Sequence, residues 1–597
     1  MRISIVIPTF NRKDVLARTL PTLLAQDFPA EQYEVVVVVD GSRDGTSEWL
    51  GQIRPRCALR VLEREHSGPA AARNVGVRAA RGELVLFLDD DFAARADLLR
   101  QHSAAHPNLQ PRVVHGPVYV APDSARSIIR HVTESFYESY YRRLDGSVHL
   151  QHPQAIGDSI AMLSSLANSS VSRKLLLEAG GFDENIRAAE DLELGLRLWK
   201  MKARFEHCPA AAVEEFYVKS SWQYLRGQAR ALGWGDLLVS EKHAEYRPYC
   251  WLSSLEVIHP AKRWLRGAAA RLPWSPLAWV AWPLSVERLL YRFAPLRRAA
   301  VCLLGAAESI VRIRAACSHA GSWKALQSQF ARRCPVLMYH RIGPERTDTD
   351  PGVSITPQQF ARQMAWLHRH GYTPIRATDW LRWLREGCAL PQKPILLTFD
   401  DAYEESAQHA LPLLERYGWS ALIFVVTQRL AATNTWDEVQ GSGTLRLMSA
   451  EQIRAWANKG FEFGAHSRTH PDLTSLDPSA CAAEVVGSRD DLSALLGTSI
   501  DCFAYPFGEC NPAAHESVRA AFALGFGTDE GLNHLRSDPH LLRRCYVSPQ
   551  DSLLVFAMGV RWGKSQWWRK QRARFTLRSR WRKLLAALGR FGSRERN

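Results

Sequence analysis

The stretch Pro394–Tyr403, PILLTFDDAY, joins a short apolar run to two adjacent carboxylates, Asp400 and Asp401. An apolar run of this length is typical of a buried strand, and the carboxylates follow where that strand would end. His466 and His470 come later, in the sequence HSRTH. Two imidazoles four residues apart can bind one metal ion together with a carboxylate. The stretch therefore predicts a metal centre of Asp401, His466 and His470, and Asp400 remains to deprotonate a metal-bound water.

Each half of this pattern alone also has a simpler interpretation. The Asp pair could be a helix cap or a solvated turn, and the two histidines could be ordinary surface or core residues. Four segments in one order favour the metal centre: VLMYHRIG at 336–343, LTFDDAY at 397–403, GAHSRTHPDLTSL at 464–476 and FAYPFG at 503–508. Together they resemble the polysaccharide deacetylase family, carbohydrate esterase family 4, over residues 336–546. The combination is far more specific than any one motif.

This resemblance implies a distorted (β/α) barrel whose catalytic groups gather at the carboxyl ends of the strands. It implies that Asp401, His466 and His470 hold Zn2+ or a similar divalent ion and that Asp400 is the general base. The metal and the backbone N–H of Tyr505 would together stabilise the tetrahedral oxyanion.

Two groups of the family's pattern are missing. The late L-x-L-H histidine that protonates the leaving amine is not found, and His534 and His540 are the nearest candidates in sequence. His340, in MYH, either approaches the site or is a structural histidine. The arginine that usually precedes the proline of the third motif is absent, since FAY stands there. The sequence is therefore similar to the subgroup with FxYPxG, in which the acid is assigned differently.

The first 234 residues alternate predicted strands with predicted helices, which indicates a parallel sheet with its site at the carboxyl ends of the strands. Strands are predicted at 3–9, 34–39 and 84–88, and helices at 12–24, 46–53 and 69–80. No G-x-G-x-x-G follows the first strand, which argues against a dehydrogenase. The third strand ends in Asp89, Asp90 and Asp91. Carboxylates with this spacing can hold a divalent ion that neutralises a diphosphate leaving group.

Six segments of this region resemble family 2 glycosyltransferases of the GT-A fold. They are IVIPTFNR at 5–12, VVDGSRDGT at 38–46, GPAAARNVG at 68–76, FLDDDF at 87–92, GGFDE at 180–184 and AEDLELGLRL at 189–198. The resemblance implies a nucleotide-sugar donor, bound by Pro8, Thr9, Asn11, Asp40, Arg73, Asp89 and Asp90. It implies Mg2+ or Mn2+ on Asp91.

The same resemblance implies that Asp191 is the general base of an inverting transfer and that its neighbour Glu190 contacts substrate. Both carboxylates also fit a helix N-terminus, where the macrodipole favours them, and the two interpretations are compatible. The family often carries a V-x-H turn after the base, but AVEEF stands at 212–216. Either Glu215 replaces that histidine as a metal ligand or metal binding is weaker. The Q-x-x-R-W signature of processive synthases is absent, so we expect transfer of single residues.

Composition limits the remaining possibilities. Hydrophobic residues make up 46% of the 597-residue chain, which is ample for packed cores. The eleven cysteines form no CxxC pair, which indicates free thiols in a reducing compartment. No signal peptide is visible, and no apolar run is long enough for a membrane-spanning helix. The longest candidate, Trp274–Val286, is interrupted by two prolines. We therefore expect a cytoplasmic protein.

The formal net charge of +15 is concentrated at the end of the chain, because residues 561–597 hold thirteen Lys or Arg against one acid. Apolar residues at helical spacing there predict a basic amphipathic helix on an anionic membrane, at the inner face of the cell membrane. The alternative is a disordered tail, and nothing else indicates nucleic-acid binding. Residues 235–333 carry no motif. They predict a helical connector, with a helix at 299–311, or an interfacial membrane contact.

The sequence thus predicts an α/β protein in four segments. These are a GT-A nucleotide-sugar transferase domain at 1–234, a helical connector at 235–333, a deacetylase domain at 334–560 and a basic tail at 561–597. The leading hypothesis is an enzyme that transfers an N-acetylated amino sugar to a glycan or lipid-linked acceptor and removes an acetyl group, in bacterial surface-polysaccharide synthesis. The alternatives are a transferase whose second domain only binds glycan, and a membrane-associated scaffold.

Overall fold

A computed structural model describes residues 2–107, 110–143, 166–216, 219–257, 268, 287–330, 332–345, 354–436 and 444–563. The chain divides into two compact units, Met1–Leu326 and Gln327–Asn597. The four-segment division remains a prediction, although the long helix predicted at 299–311 is found as Ala294–His319, inside the first unit. The stretch Trp274–Val286 and the tail from residue 564 lie outside the described residues.

The first unit is built on a seven-stranded sheet. In spatial order its strands are Ala58–Arg64, Tyr33–Asp40, Ile3–Thr9, Leu84–Phe87, Ser169–Ser172, Arg112–His115 and Arg204–His207. All neighbours are parallel except Ser169–Ser172, which runs antiparallel to both of its partners. A second sheet has the order Phe92–Ala94, Val213–Glu215, Val118–Val120. The predicted strands and helices are confirmed to within two residues.

Helices cover this sheet and extend beyond it. They are Lys13–Leu24, Thr46–Gly51, Pro69–Ala79, Leu98–Ala104, Ile128–Arg143, Arg173–Glu178, Glu190–Lys200, Ser221–Tyr224, Arg230–Lys242, Ser254–Val257, Glu287–Arg292, Ala294–His319 and Trp323–Phe330. The valine run of the second strand is buried on both faces, as expected for a parallel strand covered on each side. Thr9 and Asp40 end two adjacent strands and Asp89 follows a third, so their side chains reach one edge of the sheet.

The second unit is built on a parallel sheet that follows chain order. Its strands are Val336–Tyr339, Pro394–Phe399, Leu422–Val425, Glu462–Ala465, Cys502–Ala504 and Leu524–Phe526; Cys545–Tyr546 pairs with the first of them and Thr373–Pro374 with the second. A separate two-stranded sheet joins Arg341–Ile342 to Ser354–Ile355. The helices are Pro357–Arg369, Ala377–Glu386, Glu404–His409, Leu411–Arg416, Ala450–Asn458, Pro478–Leu496, Pro512–Ala521 and Leu553–Trp562. This is the predicted distorted (β/α) barrel. Within the residues described, no helix is long and apolar enough to cross a membrane.

A group of buried histidines connects the strands of the first unit. His102 Nδ1 and His106 Nε2 each lie 2.9 Å from the hydroxyl of Ser170, and His115 Nδ1 lies 3.1 Å from that of Ser169. Burial lowers the pKa of His102 to about 4 and the pKa values of His106 and His115 to about 3. The nearby cations Arg2 and Arg112 lower the His106 value further, so all three imidazoles are neutral in the folded protein at neutral pH.

We expect this histidine group to make the first unit sensitive to acid. Between pH 6.5 and the lowered pKa values, the unfolded chain binds more protons than the folded chain, so stability is complete above pH 6.5 and declines as the pH falls. At pH 5 each such histidine costs about 2 kcal/mol. Urea unfolding, followed by hydrogen-exchange mass spectrometry of peptides covering residues 98–115, should give a lower midpoint at pH 5 than at pH 7.5.

His102→Gln should reduce this pH dependence, whereas the control His131→Gln, at a helical position outside the group, should leave it unchanged. Equal pH dependence in the wild type and in both variants would contradict the assignment.

Candidate active sites

In the second unit, the strand Pro394–Phe399 delivers Asp400 and Asp401 to the carboxyl edge of the sheet. Asp401 has a positive φ of 68°, a turn conformation that aims its carboxylate towards two histidines. Its Oδ1 atom lies 3.6 Å from His466 Nε2 and 3.4 Å from His470 Nε2. One ligand atom from each of the three residues lies within 4.8 Å of the others, and all three residues are buried. The structure thus brings the three predicted metal ligands together.

The chemistry of these donors fits a zinc-like ion. His466 Nδ1 lies 2.8 Å from the carbonyl of Ala504, which can only accept, so Nδ1 carries the hydrogen and Nε2 keeps a lone pair. Burial lowers the pKa of His466 to about 4 and that of His470 well below its usual value, which keeps both imidazoles neutral. Two neutral imidazoles and one carboxylate are a usual zinc ligand set that leaves a coordination position for water.

Asp400 is held by a residue that the sequence did not indicate. Arg544 donates two hydrogen bonds to it, at 2.6 Å from Nη1 to Oδ1 and 2.8 Å from Nη2 to Oδ2. The Arg544 side chain is fully buried. Burial alone would raise the pKa of Asp400, but Arg544 and the nearby histidines lower it to about 2. Arg544 therefore fixes an ionised carboxylate beside the three ligands, and it supplies the positive charge that the third motif lacks.

Arg544 lies 144 residues after Asp400, just before the strand Cys545–Tyr546. That strand returns beside Val336–Tyr339, which neighbours the strand carrying Asp400. The signal available in the sequence was indirect: in a barrel of parallel strands, a residue beside the last strand can reach the carboxyl end of an early one.

The structure separates the histidines considered as general acids. His340 Nε2 lies 3.9 Å from Asp400 Oδ2. His540 is instead near Asp538, at 3.8 Å, and its carbonyl accepts a hydrogen bond from the hydroxyl of Tyr505. The ring of His534 accepts a hydrogen bond from the backbone of its own loop. Among the described contacts, His340 is the histidine of these three that approaches the carboxylate pair.

The backbone of Tyr505, whose oxyanion role stays a prediction, takes part in strand pairing. Its backbone N–H donates to the carbonyl of Phe526 at 3.1 Å, as part of the pairing between neighbouring strands. Its side chain is buried in the core, with 1% exposure. An oxyanion at this position would therefore share the N–H with the carbonyl of Phe526 or displace that carbonyl.

Aromatic side chains flank the three ligands. Trp436 stacks on the ring of His470 with centroids 4.3 Å apart, and the Phe507 ring meets the same histidine edge-on at 4.6 Å. Phe507 is 47% exposed and has a positive φ of 57°. A strained exposed aromatic residue beside a buried polar cluster indicates a ligand-facing wall.

In the first unit, a cavity of about 810 Å³ opens at the carboxyl edge of the seven-stranded sheet. Of the predicted site residues, it is lined by Pro8, Thr9, Asp40, Arg73, Asp89, Asp90, Glu190 and Asp191. Neither Asn11 nor the predicted metal ligand Asp91 is among its lining residues. Asn11 Oδ1 accepts a hydrogen bond from the backbone of Arg43, so it stabilises a neighbouring loop. Asp40 accepts hydrogen bonds from the backbone N–H groups of Ser67 and Gly68 and thereby fixes the loop before the helix Pro69–Ala79.

Arg73 connects the two ends of this cavity. It donates to Asp89 Oδ1 at 2.7 Å and to Glu190 Oε1 at 2.8 Å. Asp191 stands in the first turn of the helix Glu190–Lys200. Burial and the charge of Glu190 raise the pKa of Asp191, Arg73 opposes them, and the result is about 7. A carboxylate with such a pKa suits proton transfer near neutral pH.

The carboxylates of Asp90 and Asp91 are ligands of the type that a divalent cation binds, but they already contact the guanidinium group of Arg12. Arg12 lies 2.8 Å from both Asp90 and Asp91. Glu215 pairs across the small sheet with Phe92, the residue after Asp91. Burial and the charge of Asp91 raise the pKa of Glu215 to about 8. Asp91 and Glu215 therefore interact electrostatically, and a metal on Asp91 would compete with Arg12.

These geometries agree with what comparison with known proteins shows. Residues 4–167 match the family described as glycosyl transferase family 2, and residues 388–524 match the family described as polysaccharide deacetylase. The chain is thus an enzyme that joins a family 2 glycosyltransferase domain to a polysaccharide deacetylase domain, a transferase and a carbohydrate hydrolase in one polypeptide.

Individual relatives resemble one part of the chain each. YxkH of Bacillus subtilis, named as a proposed polysaccharide deacetylase, is 25% identical over 228 residues, 38% of this chain and 75% of that protein. The poly(ribitol-phosphate) beta-N-acetylglucosaminyltransferase TarS of Staphylococcus aureus is 38% identical over 106 residues, 17% of this chain and only 18% of its own length. A solved deacetylase, PplD of Streptococcus pyogenes in complex with acetate, is 25% identical, with 37% of this chain and 96% of that chain covered and a TM-score of 0.33.

Proposed function

We propose that the chain transfers a sugar, an N-acetylhexosamine, from a nucleotide donor to a glycan or lipid-linked acceptor with inversion, and hydrolyses the N-acetyl group of an amino sugar. The observation that carries the hydrolytic half is the convergence of Asp401, His466 and His470 beside an Asp400 held by Arg544. A domain that only bound glycan would have no use for a buried base fixed next to three metal ligands, so this arrangement favours hydrolysis.

In the deacetylase site, Asp401, His466 and His470 would hold Zn2+ or a similar ion, which supplies Lewis acidity towards the amide carbonyl and lowers the pKa of a water. Asp400 accepts the proton of that water, and Arg544 keeps its carboxylate ionised and oriented. His340, whose Nε2 lies 3.9 Å from Asp400, would return a proton to the leaving amine. Trp436 and Phe507 form the wall against which the sugar ring lies.

In the transferase site, Thr9, Asp40, Arg73 and Asp89 would bind the nucleotide sugar. Asp191 accepts the proton of the acceptor hydroxyl as the anomeric carbon is attacked. Asp91 and Glu215 would hold Mg2+ or Mn2+, whose charge would offset that of the diphosphate, in place of the contact between Arg12 and Asp91. TarS, whose name states an N-acetylglucosaminyl donor group, supports the choice of sugar. Membrane contact by the basic tail, at the inner face of the cell membrane, stays a prediction from its sequence.

To test this proposal, the purified full chain is incubated with UDP-N-acetylglucosamine and a chitooligosaccharide. The release of UDP and the release of acetate are then measured separately. Release of both products supports the bifunctional proposal. UDP without acetate, in the presence of zinc, would leave only the transferase.

Removing a metal ligand should empty the deacetylase centre. We expect His470→Ala to weaken zinc binding by roughly 100-fold or more, since loss of even an outer-shell partner can cost 10–100-fold. Zinc content after dialysis, measured by plasma mass spectrometry, tests this. His515→Ala is the matched control because that histidine pairs with Asp538 on the surface of the same unit. Equal zinc content in both variants would contradict the ligand assignment.

A further inference from the structure

The transferase cavity does not end at Asp191. Beyond it, the wall is formed by Asp236, Tyr246 and Arg312, which belong to the helical part of the first unit. These side chains are paired with one another: Tyr246 donates to Asp236 at 2.9 Å, and Arg312 forms an ion pair with Asp236 and another with Glu308 at 3.2 Å. The positive charge of Arg312 in this wall is therefore already paired.

A second cavity of about 300 Å³ adjoins the first, because Arg187 lines both. Its other lining residues are Gly227, Arg230, Ala231, Trp234, Gly235 and Leu238. Arg187 lies in the loop that leads into the helix of the base Asp191. The second cavity thus extends the path from the base towards the surface.

The second cavity, called the outer cavity below, contains the guanidinium groups of Arg187 and Arg230. Unlike Arg312, they are not paired with carboxylates within the described part of the chain. Arg187 and Arg230 are exposed, and among the described residues neither lies within ion-pair distance of a carboxylate. Trp234 is 38% exposed, and its Nε1–H donates to the hydroxyl of Ser318 at 3.2 Å, which fixes the indole. Two guanidinium groups beside a fixed, partly exposed indole suit a ligand that combines a phosphate with a sugar ring.

Close packing holds this cavity against the catalytic loop. A Cβ atom on Gly235 would lie 2.1 Å from the carbonyl of Ala188, and one on Gly233 would lie 2.4 Å from that of Arg312. The helix Arg230–Lys242 therefore touches both the loop before Asp191 and the helix Ala294–His319. The position of Arg230 and Trp234 relative to the base is fixed by backbone contact.

We infer that this outer cavity is the acceptor subsite of the transferase and that it selects acceptors carrying a phosphate or diphosphate group. Arg187 and Arg230 bind the phosphate oxygens, Trp234 packs against a sugar ring, and the acceptor hydroxyl reaches Asp191 through the shared wall. This inference rests on the proposed transferase function, which it narrows to phosphorylated acceptors.

The test compares acceptor KM values for the full chain with three acceptors: a chitooligosaccharide, the same oligosaccharide with a 1-phosphate, and its diphosphate linked to a short soluble lipid. We expect the wild type to have a KM at least tenfold lower for both phosphorylated acceptors than for the neutral one. In the double variant Arg187→Gln/Arg230→Gln, this ratio should fall to near one. Trp234→Ala should raise the KM of all three acceptors.

Arg78→Gln is the control, because it removes an exposed arginine of the same unit outside both cavities. UDP binding by each variant, measured by calorimetry, reports that the first unit is folded. A lower KM for the lipid-linked diphosphate than for the 1-phosphate would identify a lipid-linked acceptor as the ligand. Equal KM values for these two acceptors would show that a phosphate group alone is recognised. Equal KM values for neutral and phosphorylated acceptors in the wild type would overturn the inference. Absence of UDP release with every acceptor would instead refute the proposed transferase function.

Discussion

Replacing Asp400 with Asn should lower the rate of acetate release by roughly 10²–10⁴-fold, the usual contribution of a positioned general base. The amide keeps the shape of the side chain but cannot accept a proton from water. UDP release by the same protein should be unchanged, because the base of transfer, Asp191, lies in the other unit. The measurement is kcat for each product on one preparation.

This substitution also leaves Arg544 without a charged partner, and an unpaired buried charge is itself destabilising. Glu405→Gln controls for that effect. Glu405 pairs with Arg341, another fully buried arginine of the same unit, and is not one of the three ligands. We expect Glu405→Gln to lower thermal stability but to keep acetate release within a few-fold of the wild type. Equal loss of activity in both variants would assign Asp400 a structural role.

Replacing Asp191 with Asn should lower acceptor-dependent UDP release by a similar factor, roughly 10²–10⁴-fold. The side chain lines the cavity beside Arg73 and has a pKa raised to about 7, which allows it to take a proton from a sugar hydroxyl near neutral pH. Nucleotide binding, measured by calorimetry with UDP, should change little because Thr9 and Asp40 remain. Acetate release should also be unchanged.

Glu193→Gln is the matched control for this change. Glu193 is a buried carboxylate two residues further along the same helix, where it pairs with Arg197 and His243 instead of lining the cavity. We expect Glu193→Gln to retain transfer. A wild-type rate in Asp191→Asn would require another base, and loss of UDP binding in that variant would show that its effect is structural.

Local sequence patterns were sufficient to predict the strands and helices nearest the two sites. The apolar run before Asp400 and the valines before Asp40 each end in polar residues, and parallel strands bring such ends to one edge. The H-x3-H spacing likewise placed His466 and His470 on one turn, where Asp401 reaches both. These features depend on residues that are close together in the chain, so they could be predicted from one sequence without knowledge of long-range contacts.

What the sequence did not reveal depends on contacts between distant segments. The pairing of Arg544 with Asp400 and of Arg12 with Asp91 links residues that no spacing rule relates. The hydrogen bond of the Tyr505 backbone N–H to Phe526 has the same origin, because it depends on which strand lies beside it. The helix Ala294–His319 gave only a weak apolar signal, and its contribution of Arg312 to the transferase cavity follows from packing alone.

We propose that one chain holds two separate active centres, one built on Asp401, His466 and His470 and one on the cleft between Asp40 and Asp191. X-ray diffraction from crystals of the full chain grown with zinc and UDP, with anomalous data at the zinc edge, would locate both centres in one experiment. We expect a zinc peak bonded to His466 Nε2, His470 Nε2 and Asp401, and UDP lying beside Thr9, Asp40 and Arg73. A deacetylase unit with no zinc at these residues, or a nucleotide bound outside this cleft, would contradict it.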